Sequence, residues 1–297
     1  MPRGKMKTMM GLIEPPILSY KLEDIADWIE LYIILNRTTL CKADVGQKVE
    51  ADSGHELSSA DLDDVWIELT RRMRLYGVNP PFILGPRTIT PSRNGLGNSP
   101  YLMFLLLSYA GNSNENYKGH KVLTSTDGGR IFEEICALAI KKYMGGMIEV
   151  HGRRFKGKKL NVIAPIMNEK IGNGYSTLNN DGGVDLIAWK PFGDARPSQI
   201  CVLFQCAAGK DYADKFGDIV LDLWCDYLKW AAFPLRGFTT ASVFENDQAE
   251  FIRTSRQAGV LLDRPRLYAN LIGVGIGQKL RREILSWCNK KIMIRCN

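Results

Sequence analysis

The sequence predicts an α/β protein: a mixed sheet flanked by helices, preceded by a mainly helical N-terminal domain. Three observations carry that expectation. Helix-period apolar runs dominate the first 110 residues, and helical and strand-like runs alternate after residue 125. Two adjacent runs, Asp181 to Trp189 and Ile200 to Lys210, each read as a short buried strand, and the turn residues Pro191 to Pro197 between them suit a hairpin.

The elements follow in order. Tyr20 to Leu35 places Ile25, Trp28, Ile29, Tyr32 and Ile33 on one helical stripe. Residues 42–57 are polar and mixed in sign and read as a loop. Ser58-x-x-Asp61 has the form of a capping box ahead of a helix from Leu62 to Tyr76, with Gly77 just beyond its end. Ser99-Pro100 supplies a cap and a first-turn proline for an apolar helix, Tyr101 to Tyr109. The polar stretch 112–130 is the expected boundary between a helical accessory domain, 1–120, and a second domain, 121–297. Arg130 to Tyr143 reads as an amphipathic helix closed by Gly145-Gly146, and Leu160 to Ile166 as a strand. After the hairpin come a long helix over Asp214 to Ala232, a strand Phe238 to Phe244 and a helix Asp247 to Gln257. A short strand, Val260 to Asp263, and a basic terminal helix, Lys279 to Asn289, complete the pattern.

Composition bounds the chemistry. The 297 residues carry a net charge of +7, unevenly placed: residues 1–120 hold 13 basic and 14 acidic side chains, residues 121–297 hold 26 and 18. A basic C-terminal portion points to a polyanion as partner. Seven cysteines, with no C-x-x-C pair, read as reduced thiols and a cytoplasmic protein. No apolar run approaches the roughly 20 residues of a membrane helix, and no secretory signal is expected before Pro15-Pro16. The only histidines are His55, His120 and His151, and neither G-x-S-x-G nor H-E-x-x-H occurs. A zinc-hydrolase or histidine-dependent site is therefore not expected, and chemistry must rest on carboxylates, amides and lysines.

Each apolar run contains one costly polar residue. Asp185 follows Asp181-Gly182-Gly183 and opens the first run; Gln205 interrupts the second, which ends Gly209-Lys210. A carboxylate and an amide on neighbouring strands, followed by a lysine, suit phosphodiester hydrolysis with a divalent ion. Asp185 can hold the metal and Gln205 can lend its amide oxygen. Lys210 can neutralise phosphate charge, and Glu133 on the preceding helix can complete the metal shell. The structural alternatives are equally concrete. Asp185 can cap a turn or pair with a buried arginine, Gln205 can satisfy backbone groups, and Lys210 can be a solvated surface residue. Arg253, Arg256, Arg264 and Arg266 can track phosphates or form a solvated face, whereas Trp224, Tyr227 and Trp230 have the spacing of core residues. Gly273-Val-Gly-Ile-Gly277 lacks the spacing of a phosphate loop and reads as a backbone turn.

Phe132-Glu133 on a helix, then Asp185 on a strand, then Gln205 and a following lysine on the next, then a helix, resembles the PD-(D/E)xK restriction-endonuclease-like nucleases over residues 125–265. The resemblance implies catalytic roles for Glu133, Asp185, Gln205 and Lys210, with Glu133, Asp185 and Gln205 as ligands of Mg²⁺ or Mn²⁺. Some members of that family carry Gln at the third position. The family pattern would place lysine at 207, where this chain has Ala207, so Lys210 would act from a displaced position. Glu134, beside Glu133, is the alternative helix carboxylate. The implied function is a metal-dependent DNA endonuclease of a restriction or antiphage-defence system. It implies DNA as partner, a possible protein partner subunit through the N-terminal domain, and a possible homodimer. The alternative is a nuclease-like subunit that has lost catalysis and binds nucleic acid or scaffolds a complex.

Overall fold

A computed structural model describes residues 21–53, 56–110, 125–150, 160–174, 182–244 and 247–295. Asp181, the three histidines, most of the polar stretch 112–130 and the proposed boundary at 120/121 lie outside these residues.

The chain begins with helix α1 (Leu22–Asn36), short strand β1 (Leu40–Cys41), α2 (Lys42–Ser53) and α3 (Ser59–Leu75). Strands β2 (Phe82–Leu84) and β3 (Thr88–Pro91) follow, then α4 (Ser99–Ala110). The next segment holds α5 (Ser125–Met144), β4 (Met147–Val150), α6 (Leu160–Ile166) and β5 (Lys170–Ile171). The hairpin is β6 (Leu186–Lys190) and β7 (Ile200–Ala207), succeeded by α7 (Leu221–Tyr227) and β8 (Leu228–Lys229). The chain ends with β9 (Leu235–Thr240), α8 (Gln248–Ala258), β10 (Val260–Leu262), α9 (Arg264–Leu271) and α10 (Gln278–Arg295).

The main sheet has the order β10-β9-β7-β6-β4 and is mixed: β4, β6 and β7 pair antiparallel, while β7, β9 and β10 pair parallel. In β6 and β7, side chains alternate between two apolar layers. Leu186, Ala188, Val202 and Phe204 meet α5, whereas Ile187, Trp189, Cys201 and Leu203 meet α6 and α7. The α5 layer continues without a break into α1, α3, α4, α9 and α10. A third cluster, Ala207, Phe238, Phe244, Ala258 and Leu261, lies at the end of β7 against α8. No helix among the described residues is long and apolar enough to cross a membrane.

Local chemistry explains most boundaries. Ser58 caps α3 in a full capping box with Asp61, and Gly77 at φ +71° turns the chain away. Asn98, rather than Ser99, caps α4: its Oδ1 accepts the Tyr101 N–H at 3.1 Å.

Several expectations are corrected. Residues 42–53 form α2, not a loop; Val45 and Val49, four apart and fully buried, are its only deep apolar anchors, a signal easily lost among polar neighbours. Leu160–Ile166 is a helix, not a strand. Its buried residues Leu160, Ile163 and Ala164 have helical spacing that a seven-residue apolar run conceals. The long helix expected over 214–232 is broken: a 3-10 turn, Tyr212–Lys215, stops before Gly217, and α7 runs directly into β8. The N-terminal helices also hold a three-stranded antiparallel sheet, β1-β3-β2.

An ionic layer lies inside the α-helical core. Asp27 and Glu30 sit among the apolar residues of α1 and are buried. Arg72 of α3 reaches Asp27 at 2.5 Å, Glu30 at 2.8 Å and Glu68 at 2.6 Å, and Arg264 of α9 reaches Asp27 at 2.6 Å. Tyr101 and Ser108 of α4 donate hydroxyl hydrogen bonds to Glu30 and Asp27. Arg264 is therefore no phosphate contact: it is fully buried and joins the C-terminal part of the chain to α1.

Candidate active site

The candidate site lies where β6 begins and β7 ends. Gly182 and Gly183, at φ +59° and +78°, bring the chain to β6 along a path that a side chain would obstruct. A Cβ on Gly183 would stand 2.5 Å from the Asp218 carbonyl oxygen. Asp185 then donates its backbone N–H to Phe204 O at 2.9 Å, and its Oδ2 accepts the Cys206 N–H at 2.7 Å. The β6–β7 register ends at Leu186↔Phe204, so Cys206 lies past the last residue paired with β6, although β9 still pairs with it at Thr239. The carboxylate thus takes the place of a backbone acceptor where the β6–β7 ladder ends. It is buried there and needs that hydrogen bond.

Gln205 is the next residue along β7. It is 7% exposed, and its Oε1 is buried without a hydrogen-bond partner among the described residues. A buried amide oxygen left unsatisfied is costly, on the order of 1–3 kcal/mol. The structure therefore brings a carboxylate and an unsatisfied amide oxygen to adjoining positions at one strand end.

Cys206 ties α5 to the same place. Burial pushes its thiol well above the usual range, with a hydrogen bond to Cys136 of α5 and the nearby Asp185 charge acting in the same direction. Glu133 is three residues before Cys136, about 4.5 Å further along the helix axis, and is half-buried. Glu134 points elsewhere: it accepts from Arg130 at 2.5 Å, and Arg130 also binds Glu283 of α10 at 3.0 Å. The ion pair with Arg130 distinguishes Glu134 from its neighbour Glu133.

Lys210 is drawn away from the strand end toward α1. Its Nζ is 3.2 Å from Asp24 Oδ1 and 5.9 Å from the centre of the Tyr109 ring. Ala207, the position at which the family pattern would place lysine, is 1% exposed and packs with Phe238, Phe244, Ala258 and Leu261. A lysine stem there would have to displace that cluster.

Asp185 precedes Leu186 and Gln205 follows Phe204, the last β6–β7 pair, so a carboxylate and an amide oxygen are offered at one strand end. Among the described residues no group of three or more His, Cys, Asp or Glu side chains could hold a metal. An ion here would have few protein ligands, with water completing its shell, as Mg²⁺ commonly does. The unsatisfied Gln205 Oε1, a hard oxygen donor beside a carboxylate, fits that role.

Of the remaining arginines, Arg253 pairs with Glu250, and Arg266 donates to the Leu261 carbonyl and lies over the Phe251 ring. Trp224 and Tyr227 are core residues. Sequence reasoning missed the Cys136–Cys206 contact, which alternation alone does not reveal. It also missed the ionic layer, whose signal was two acids inside the apolar stripe of α1.

No family model matches the chain, and no curated protein matches it. Among solved structures, the restriction endonuclease FokI is similar at 12% identity and a TM-score of 0.25. The match covers 87% of this chain and 46% of that one, so the chain spans about half the length of the structure it matches. A likeness at that TM-score carries no argument about fold or activity.

Proposed function

We propose that the chain is a metal-dependent DNA endonuclease that uses the β6–β7 strand end as its active site. One observation carries the reading: Asp185 and the unsatisfied Gln205 amide oxygen occupy adjoining positions at that end. Mg²⁺ or Mn²⁺ bound there would supply Lewis acidity and positive charge for phosphodiester hydrolysis. Asp185, Gln205 and Glu133 would hold the ion. The Cys206 N–H would keep the Asp185 carboxylate oriented, and burial of the site would limit competing water. Lys210 would leave Asp24 for the phosphate when substrate binds, an exchange that costs little because the resting pair is exposed. A restriction or antiphage setting, a partner subunit bound through the N-terminal helices and a homodimer belong to the same reading.

The test is cleavage of plasmid DNA by the purified protein with Mg²⁺ or Mn²⁺, beside Asp185→Ala, Gln205→Ala and Lys210→Ala variants. Wild-type cutting that Asp185→Ala abolishes is the expected result; metal-dependent cutting that survives the change would sink the assignment. A second reading, a nuclease-like subunit without catalysis, is favoured by Ala207 in its apolar cluster and by the Lys210–Asp24 pair. It predicts salt-sensitive DNA binding with no cutting by the wild type.

A further inference from the structure

We infer that the exposed basic face of α10, with Arg130 at its edge, docks the phosphate backbone of duplex DNA. This deepens the nuclease reading, on which it rests for the identity of the polyanion, by naming the surface that holds the substrate. A recess of about 420 Å³ is lined by Arg130, Arg282, Glu283, Ser286, Trp287 and Lys290, among others. Lys279, Arg282, Ser286 and Lys290 are spaced i, i+3, i+7 and i+11 and are exposed, so they form one stripe along the helix. The stripe is about 17 Å long, enough to face several phosphates of a duplex.

The charge is available to a ligand. Glu283, the carboxylate in the recess, pairs with Arg130 at 3.0 Å, a guanidinium that Glu134 shares at 2.5 Å, so the free positive charge lies on Lys279, Arg282 and Lys290. Arg282 and Lys290 form no ion pair among the described residues, whereas exposed Arg196 and Arg253 are each held by a carboxylate on their own segment. Ser286 adds a hydroxyl donor suited to a phosphate oxygen. An anionic bilayer is a poorer fit, because Ile284, Trp287 and Cys288 are turned into the core and leave the helix no broad apolar face for lipid.

Position supports the same partner. The Gly145-Gly146 turn sends β4 back antiparallel to α5, so the N-terminal half of α5 approaches the end of the sheet where Asp185 lies. Cys136 meets Cys206 there, and Arg130 is about 9 Å further along the α5 axis. Arg130, at the edge of the α10 face, thus lies toward the same end of the sheet as Asp185.

The experiment is fluorescence anisotropy with a labelled duplex in EDTA, so that binding is read without cutting. Wild type is compared with Arg282→Glu/Lys290→Glu, with the milder Arg282→Gln/Lys290→Gln, and with Arg196→Ala/Arg253→Ala as a control. Thermal melting of each variant identifies any that fails to fold, and the Gln pair then decides. The expected result is at least a tenfold loss of affinity for the Glu pair at about 0.1 M salt and a salt slope shallower by about two. The control should bind as wild type does. Unchanged affinity and slope in the folded Gln and Glu pairs overturns the inference, as does a wild type that binds an acidic peptide but no duplex. The nuclease reading fails separately: a wild type that binds DNA through α10 but never cuts with metal leaves the surface intact and removes the catalysis.

Discussion

Two buried polar regions of this molecule are built on opposite principles. In the ionic layer, Asp27, Glu30 and Glu68 face Arg72, Arg264 and Arg71, with tyrosine and serine hydroxyls taking further oxygens. At the β6–β7 end, Asp185 is held by a backbone N–H, and beside it Gln205 keeps an amide oxygen with no partner among the described residues. The first region answers each buried charge with another and joins α1, α3 and α9. The second leaves one buried amide oxygen, Gln205 Oε1, unanswered among the described residues. Perturbed ionisation alone points to the ionic layer. Burial pushes the Asp27 carboxyl up, yet Arg264 and Arg72 hold it down at about 2, and this pronounced shift belongs to a structural network.

The contrast can be broken experimentally. The largest effect should come from Arg72→Ala, which leaves Asp27, Glu30 and Glu68 short of a counter-ion. A loss of about 3–5 kcal/mol is expected in urea unfolding, and a loss below about 1 kcal/mol would show that the layer is not a buried network. Next, Asp185→Asn should lower metal-dependent cleavage by about 100-fold or more, since an amide lacks the charge for the ion. Its unfolding midpoint should move little, because Asn can still accept the Cys206 N–H. Equal losses of stability and activity would make Asp185 purely structural.

Acid should separate the regions as well. The folded value of Asp27 lies below its ordinary 3.8, so its stabilising contribution is complete above about pH 4. That contribution disappears as the pH falls toward 2. Urea midpoints measured across this window should therefore decline in the wild type, and the decline should be shallower in Asp27→Asn. The smallest effect belongs to Lys210→Ala. Its pair with Asp24 is exposed enough that stability should change by less than about 1 kcal/mol, while cleavage should fall clearly. An unchanged cleavage rate would confine Lys210 to its contact with Asp24 and favour the subunit without catalysis.

Particular residues show what was legible before folding. The short apolar runs around Ile187 and Leu203, the capping box at Ser58 and the stripe of α1 are local patterns, and each became the expected element. Asp185 and Gln205 were conspicuous for the same reason: polar atoms inside apolar strands announce their own cost. Short or sparsely apolar segments failed. Residues 160–166 fit either period, and α2 had only Val45 and Val49 to declare it.

By itself, then, the sequence determined the hairpin, the helices α1, α3, α4, α5, α8 and α10, the basic bias of the C-terminal part and the two polar residues worth suspecting. These are consequences of neighbours a few positions apart. Only the tertiary structure decided that Arg264 is a counter-ion of Asp27, that Glu134 is claimed by Arg130, that Lys210 rests on Asp24 and that Ala207 lies in an apolar cluster. Apart from Glu134 and Arg130, four residues apart on α5, these contacts join residues far apart in the chain or on different elements. A charged side chain's role depends on which partner the packed core brings within reach, and local sequence carries no term for that distance.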